Sequence, residues 1–311
     1  MTAVIIDKEI CTGCGICIDV CPYTAIQLAD NKAEFMLEDC FACGHCQAAC
    51  PVDAVVVSGL ASNMAFSTFT EMERVVQPGT GEVAEIVALM RSRRSCRRYL
   101  TSPVPLALLE DLVKIGTTAP SGTNSQPWNF TILPEREDVL VLGGLTAAYY
   151  RKLNRQARNG VLRLLVKLFG GDSLGKYYRR YYDSVEESLR EWEREGTDSL
   201  FHGAVAAILV TAQQDASCPA EDALLATQNI LLAAHMMGLG SCLIGFVVEA
   251  MRRTPDMRRK MEIGDGEEIY SVIALGYPDV IYHRVSNRKS VVPRILKFGT
   301  EDTEKTDWAV E

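Results

Sequence analysis

The sequence predicts an α+β protein in two parts, a small β-rich unit followed by a larger sandwich of helices on a sheet. Three observations carry this. Residues 9–26 are echoed by residues 38–55 at a constant offset of 29. In each copy a cysteine loop lies between two short apolar runs of strand length. Beyond residue 82 the apolar spacing turns helical, at Val83, Ile86, Val87 and Met90, and helix-length segments then alternate with strand-length runs such as 204–212 and 269–275. A chain of 311 residues with 48% apolar content has room for about two domains. The division read from the pattern is a first domain over 1–57, a linker over 58–81, a second domain over 82–300 and an acidic tail over 301–311.

In the first domain, strands are expected at 3–6 and 25–28 in one copy and at 33–37 and 54–57 in the other. Between them run Cys11, Cys14, Cys17, Cys21 and Pro22, then Cys40, Cys43, Cys46, Cys50 and Pro51. Gly13, Gly15 and Gly44 let the backbone turn its N–H groups toward sulfur, and the prolines close the short helical turn that carries the third cysteine. Both runs fit C-x2-C-x2-C-x3-C-P and resemble the bacterial ferredoxin pattern, in which three thiolates hold one cube and the fourth reaches the other. That rule gives two [4Fe-4S] clusters, one on Cys11, Cys14, Cys17 and Cys50, the other on Cys40, Cys43, Cys46 and Cys21. C-x2-C is also a zinc spacing, but two duplicated runs ending in Cys-Pro are hard to explain without cubes.

The net charge of −8, from 32 basic and 40 acidic residues, disfavours nucleic acid as a partner. Eight of eleven cysteines fall in the two runs, which points to a reducing compartment rather than a disulfide framework. The cysteine motif begins too early for a signal peptide, and the longest apolar run is too short to span a bilayer. A cytoplasmic protein without membrane partners is expected, in an organism of low-oxygen metabolism.

The linker collects Ser, Thr, Asn, Pro and Gly, while Met64, Phe66 and Phe69 suggest that it lies against a domain. The next helix runs into Arg91-Ser92-Arg93-Arg94-Ser95-Cys96-Arg97-Arg98-Tyr99, which fits either a solvated face or a phosphate clamp. A helix over 106–115 leads to Ala119-Pro120-Ser121-Gly122-Thr123-Asn124-Ser125-Gln126-Pro127-Trp128, a loop feeding a strand. A long helix over 220–237 precedes Gly238-Leu239-Gly240-Ser241-Cys242-Leu243-Ile244-Gly245-Phe246, of which Leu239 to Phe246 is by composition alone an ordinary buried strand. Ser286-Asn287-Arg288-Lys289 follows the strand 269–275 and a turn at Gly276-Tyr277-Pro278.

These four motifs, in this order, resemble the nitroreductase family of flavin enzymes over residues 82–300. The resemblance implies FMN as cofactor. Arg93, Arg94, Ser95 and Arg97 would hold its phosphate and ribityl chain, joined by Arg288, itself an ordinary surface charge on any other reading. Pro120, Ser121 and Gly122 would pack on the flavin from the partner subunit, with Asn124 and Gln126 ordering that loop. Leu243, Ile244 and Gly245 would lie along the ring edge. The resemblance also implies an intertwined homodimer with residues 291–300 as its arm.

Residues 149–201 match no family motif and are expected to form a helical lid that selects the acceptor. Its Tyr177, Tyr178, Tyr181 and Tyr182 fit core packing as well as substrate contact. No histidine pairs with an acid at catalytic spacing, which suits chemistry carried by a cofactor. Cys96 fits a small buried residue better than an activated thiol. The reading that follows is an FMN-dependent oxidoreductase fed by two tethered clusters, drawing electrons from a reduced ferredoxin or NAD(P)H and reducing a small aromatic or conjugated acceptor. Reductive dehalogenation, a reaction consuming the flavin, and a non-enzymatic redox module are the alternatives. Released halide, lost flavin and absence of turnover would distinguish them.

Overall fold

The computed structural model describes residues 4–297 apart from 39, 62 and 73. Ala3 of the first expected strand, residues 298–300 of the expected arm and the acidic tail lie outside the described residues. The chain divides after Ile281 into two compact units, Met1–Ile281 and Tyr282–Glu311.

The duplicated sequence folds by exchanging strands between its copies. Strand β1 (Val4–Ile6) is followed by the one-turn helix α1 (Ile16–Asp19), β2 (Ile26–Ala29), β3 (Lys32–Phe35), helix α2 (His45–Ala48) and β4 (Val55–Val57). β1 pairs antiparallel with β4, and β2 with β3. Each ribbon therefore joins the entry of one copy to the exit of the other. The tight β2–β3 turn has positive φ at both Asp30 (49°) and Asn31 (60°), the twist that suits a two-residue hairpin. Val4, Ile26, Val55 and Val57 bury their side chains between the ribbons and the two cysteine helices.

Residues 58–81 hold no helix or strand among those described, but they are tied down. Asp111, fully buried on a helix introduced below, accepts from the Ser67 and Thr68 amides at 2.7–3.0 Å and from the Thr68 hydroxyl at 2.7 Å. Lys114 pairs with the same carboxylate at 3.1 Å and donates to the Ala65 carbonyl at 2.7 Å. Phe66 and Phe69 stack at 4.4 Å.

The larger part is a four-stranded antiparallel sheet between helical layers. Helices α3 (Val83–Ser92) and α4 (Leu106–Gly116) lead to β5 (Trp128–Leu133). Four helices follow, α5 (Arg136–Arg158), α6 (Gly160–Gly170), α7 (Ser173–Arg180) and α8 (Tyr182–Glu195). Then come β6 (Ala206–Gln213), α9 (Pro219–Met236), β7 (Gly240–Leu243), α10 (Gly245–Arg252), α11 (Pro255–Lys260) and β8 (Glu267–Gly276). The strand order is β5-β6-β8-β7. β6 reads as one apolar run because both of its faces are covered. Ala207 and Leu209 pack in one core with α5 and α10, while Ala206, Ile208 and Val210 pack in the other with α4 and α9.

Two expectations change. The run 239–246 is strand only as far as Leu243; Ile244 turns and Gly245 opens α10, so a composition that reads as one strand is a strand-to-helix junction. Residue 149, taken as the start of the lid, sits in the middle of α5, whose Val139 and Leu142 are core residues. The apolar stripe of α3 is helical, yet Val83, Ile86, Val87 and Met90 are all exposed in the single chain.

Candidate functional site

Strand exchange decides which cysteines meet. Cys21 precedes β2, whose partner β3 leads into the second run, so Cys21 arrives beside Cys40, Cys43 and Cys46; Cys50 returns with β4 to the first run. One cavity is lined by Cys11, Cys14, Cys17 and Cys50, and a second by Cys21, Cys40, Cys43 and Cys46. Backbone amides point at the sulfurs: Ala33 toward Cys11 at 3.4 Å, Ala25 toward Cys21 at 3.3 Å and Ala54 toward Cys50 at 3.2 Å. The last two are equivalent positions of the repeat. The Ala33 and Gly13 amides hold the Cys11 thiol below its ordinary range, whereas burial pushes Cys17 and Cys46 up.

Gly15 and Gly44 cap the cysteine helices with φ of 81° and 72°. Gly13 (φ 69°) has a stricter reason, since a Cβ there would lie 2.1 Å from the Asn31 carbonyl oxygen. Among the described residues no three His, Cys, Asp or Glu side chains converge closely enough for one metal ion. A zinc ion needs four thiolates about 2.3 Å from one point. Four cysteines spaced around each cavity fit instead a body that offers a separate metal atom to each thiolate, as a [4Fe-4S] cube does.

The arginine segment docks on the sheet edge. The Cys96 amide donates to the Ser241 carbonyl at 2.9 Å, and Ser95 forms a parallel bridge with Ser241. Gly240 is where the two motifs interlock, because a Cβ there would come 2.7 Å from the Cys96 sulfur. Gly238 (φ 80°) ends α9, with Leu239 donating back to the Ala234 carbonyl at 2.7 Å. Arg93, Arg94 and Ser95 are half-buried and Arg97 is exposed. Three guanidiniums and a hydroxyl on one short segment are a donor set that suits a phosphate monoester. Arg98 is engaged elsewhere, with Asp279 at 3.2 Å. Cys96 is buried and its thiol is pushed up by that burial, so it is not an activated thiolate. At the end of β7 Leu243 is exposed, and beyond it Ile244 is buried and Gly245 exposed.

The loop from Pro120 to Gln126 is held at both ends. Gly122 donates to buried Asp222, in the first turn of α9, at 3.0 Å, and a Cβ at Gly122 would come 2.4 Å from the Ser217 hydroxyl. The Ser121 hydroxyl accepts from the Gln126 amide at 3.0 Å. Asn124 donates its side-chain amide to the Ala42 carbonyl at 2.6 Å, which links this loop to the second cysteine run. Arg288 falls in the second unit, where it donates to Ser286 and to the Asn287 carbonyl.

The nitroreductase family model matches residues 90–277, more than half of the chain. The chain belongs to the nitroreductase family. A second model, that of the 4Fe-4S dicluster domain, matches residues 3–51. A 4-nitrobenzoate reductase of Nocardioides sp. is 26% identical over 233 residues, covering 70% of this chain and 91% of the relative. An iodotyrosine deiodinase of Thermotoga neapolitana is 27% identical over 201 residues, covering 61% and 87%. A solved nitroreductase with bound FMN from Bacteroides fragilis covers 68% of this chain and 99% of its own, at 19% identity and a TM-score of 0.49.

Within the nitroreductase domain, sequence reasoning missed three polar residues. Asp111 and Asp222 each follow an exposed glutamate, Glu110 and Glu221, on a helix, with no local signal that the aspartate of the pair is the buried anchor. His202 lies near Arg97; burial first, and that charge second, hold its imidazole below the ordinary range. The four tyrosines of residues 177–182 divide. Tyr177 packs into the core and donates to buried Asn154 at 2.7 Å, while Tyr178 lies under the Arg163 guanidinium at 4.0 Å. Tyr181 meets Phe246 edge-on at 5.8 Å.

Proposed function

We propose that this protein is an FMN-dependent oxidoreductase that takes electrons through two [4Fe-4S] clusters and reduces a small organic acceptor of nitro, quinone or enone type. The observation that carries the proposal is the presence, in one compact unit, of two four-cysteine cavities and an arginine segment docked beside the β7–α10 junction. Cys11, Cys14, Cys17 and Cys50 would hold one cluster, and Cys40, Cys43, Cys46 and Cys21 the other. Arg93, Arg94, Ser95 and Arg97, with Arg288, would bind the phosphate and ribityl chain of FMN. Pro120, Ser121 and Gly122 would flank the ring, Asn124 ordering their loop, and Leu243, Ile244 and Gly245 would follow its edge. When bound, the clusters supply single electrons and the flavin supplies exchange between one- and two-electron chemistry. The chain's own part is to fix these groups and to exclude water, the latter through α5 to α8.

On this reading residues 1–57, 58–81 and 82–300 are a ferredoxin domain, a docked linker and a flavin domain. Homodimerisation is supported by the exposed stripe of α3, which a second copy would cover. No helix among the described residues is long and apolar enough to cross a membrane. A cytoplasmic setting is supported by the gathering of eight cysteines around two cavities rather than into disulfides. Tethering raises the effective concentration of the clusters at the flavin and makes a reduced ferredoxin the natural donor, with NAD(P)H as competitor. The test is anaerobic: iron, sulfide and FMN are quantified per chain, and the flavin band is followed as reduced ferredoxin or NADH is added. Ferredoxin bleaches the flavin and Cys14→Ala slows this. If NADH alone is effective and Cys14→Ala has no effect, the relay reading fails. Similarity to iodotyrosine deiodinases supports reductive dehalogenation as a second reading, which halide release from a halophenol would establish.

A further inference from the structure

We infer that the second cysteine cavity, not the first, is the end of the ferredoxin domain that meets the flavin, and that Asn124 is the positioning residue at the junction. This rests on the function proposed above. Asn124 and Ala42 are 82 residues apart in sequence and share a 2.6 Å hydrogen bond. Ala42 lines the second cavity between Cys40 and Cys43. Asn124 belongs to the loop whose Pro120, Ser121 and Gly122 would flank the flavin ring. One side chain thus connects a wall of the cluster site to a wall of the flavin site.

Backbone conformation on both sides fits a fixed junction. Ala42, Thr123, Asn124 and Gln126 have φ of 51°, 51°, 53° and 46°, a region uncommon for non-glycine residues and least so for asparagine. The Asp222–Gly122 bond anchors the loop to α9 and the Asn124–Ala42 bond anchors it to the cysteine run. The first run is placed differently. Cys14 is exposed where its counterpart Cys43 is half-buried, and the Cys11 sulfur and carbonyl accept from Ala33 and Lys32, inside the same small domain. That end is left to a soluble one-electron donor protein of the ferredoxin class. One donor molecule is oxidised per electron, so two oxidations, with two protons from water, balance each two-electron reduction of acceptor.

The test uses the full-length holoprotein under anaerobic conditions, with Asn124→Ala and Asn124→Asp. Aspartate tolerates the same backbone but presents an acceptor, and a charge, to the Ala42 carbonyl. Cys14→Ser and Cys43→Ser identify which paramagnetic signal belongs to which cluster. The expected result is that Asn124→Asp lowers the potential of the cluster lost in Cys43→Ser and leaves the other unchanged. Amide exchange rises in residues 40–46 and not in 11–17. Bleaching of the flavin by reduced donor slows about tenfold or more, with iron and sulfide retained. A shift in the cluster lost in Cys14→Ser, or unchanged potentials and exchange in both Asn124 variants, overturns the inference even if Cys43→Ser still blocks bleaching. If neither cysteine variant slows bleaching, the relay itself fails and the junction has no role in it.

Discussion

At Gly13 the first cysteine loop has no space for a side chain, because the Asn31 carbonyl occupies the place of a Cβ; at the equivalent position of the second loop stands Ala42, with a φ of 51°. Around that difference the two loops diverge further. The first has its outermost cysteine exposed, while the second is flanked by the Tyr23–Phe41 ring pair at 4.8 Å, by Leu60 and by Asn124. Two copies of one sequence have thus become one end facing solvent and one facing the nitroreductase domain. Duplication supplies the fold, and a few substituted neighbours make its two ends unlike.

Four changes would break or sharpen this contrast. Gly13→Ala has the largest expected effect: it adds a steric clash to an unfavourable φ, for about 3 kcal/mol or more. The first cavity should lose its cluster and iron per chain should fall by about half, from about eight atoms to about four. Next comes Asp111→Ala, which frees the linker that follows the second copy and leaves the Ser67 and Thr68 amides without their acceptor. The hydrogen bonds to Thr68 and Ser67 outweigh burial and hold this carboxyl at about 2, against 3.8 in a free aspartate. Its contribution is therefore present above pH 4 or so and is lost as pH falls toward 2, for about 2 kcal/mol. Linker proteolysis should rise in Asp111→Ala at neutral pH, and wild type should approach it in acid.

Asp222→Asn should cost about 1 kcal/mol, seen in thermal unfolding, because the Gly122 amide keeps an oxygen but loses a charged acceptor. The smallest effect is expected for Ala42→Gly. Relief of the left-handed backbone and the greater freedom of unfolded glycine nearly offset each other, within about 1 kcal/mol. If Gly13→Ala and Ala42→Gly proved equally mild, the two loops would not differ in the way described.

Most of the fold is legible in the sequence because periodic apolar spacing reports burial directly. The helices 106–115 and 220–237 and the strand 269–275 lie within a residue or two of α4, α9 and β8. The grouping of cysteines around the two cavities is the one implied by the ferredoxin pattern that both runs resemble; the offset of 29 by itself would equally allow each run to keep its own four. That each group of four binds a cluster is the proposal. What spacing cannot report is long-range polar contact. Asp111 reaches an aperiodic segment more than forty residues upstream, and Asn124 reaches the other domain; neither partner leaves a mark in local sequence. The end of β7 at Leu243 is hidden for another reason. Ile244 remains buried through the turn, so hydrophobicity continues where the strand does not.

Strand exchange also sets a timetable for biosynthesis. As the chain leaves the ribosome, both strands of the β2–β3 hairpin are available before β4 exists, and once Cys46 has emerged all four cysteines of the second cavity are in hand. The first cavity, begun at Cys11, must wait for Cys50 and for β4 to zip against β1. The site that is started last is the first that can be completed, and until residue 57 is available three early thiolates stand open to oxidation or to the wrong metal.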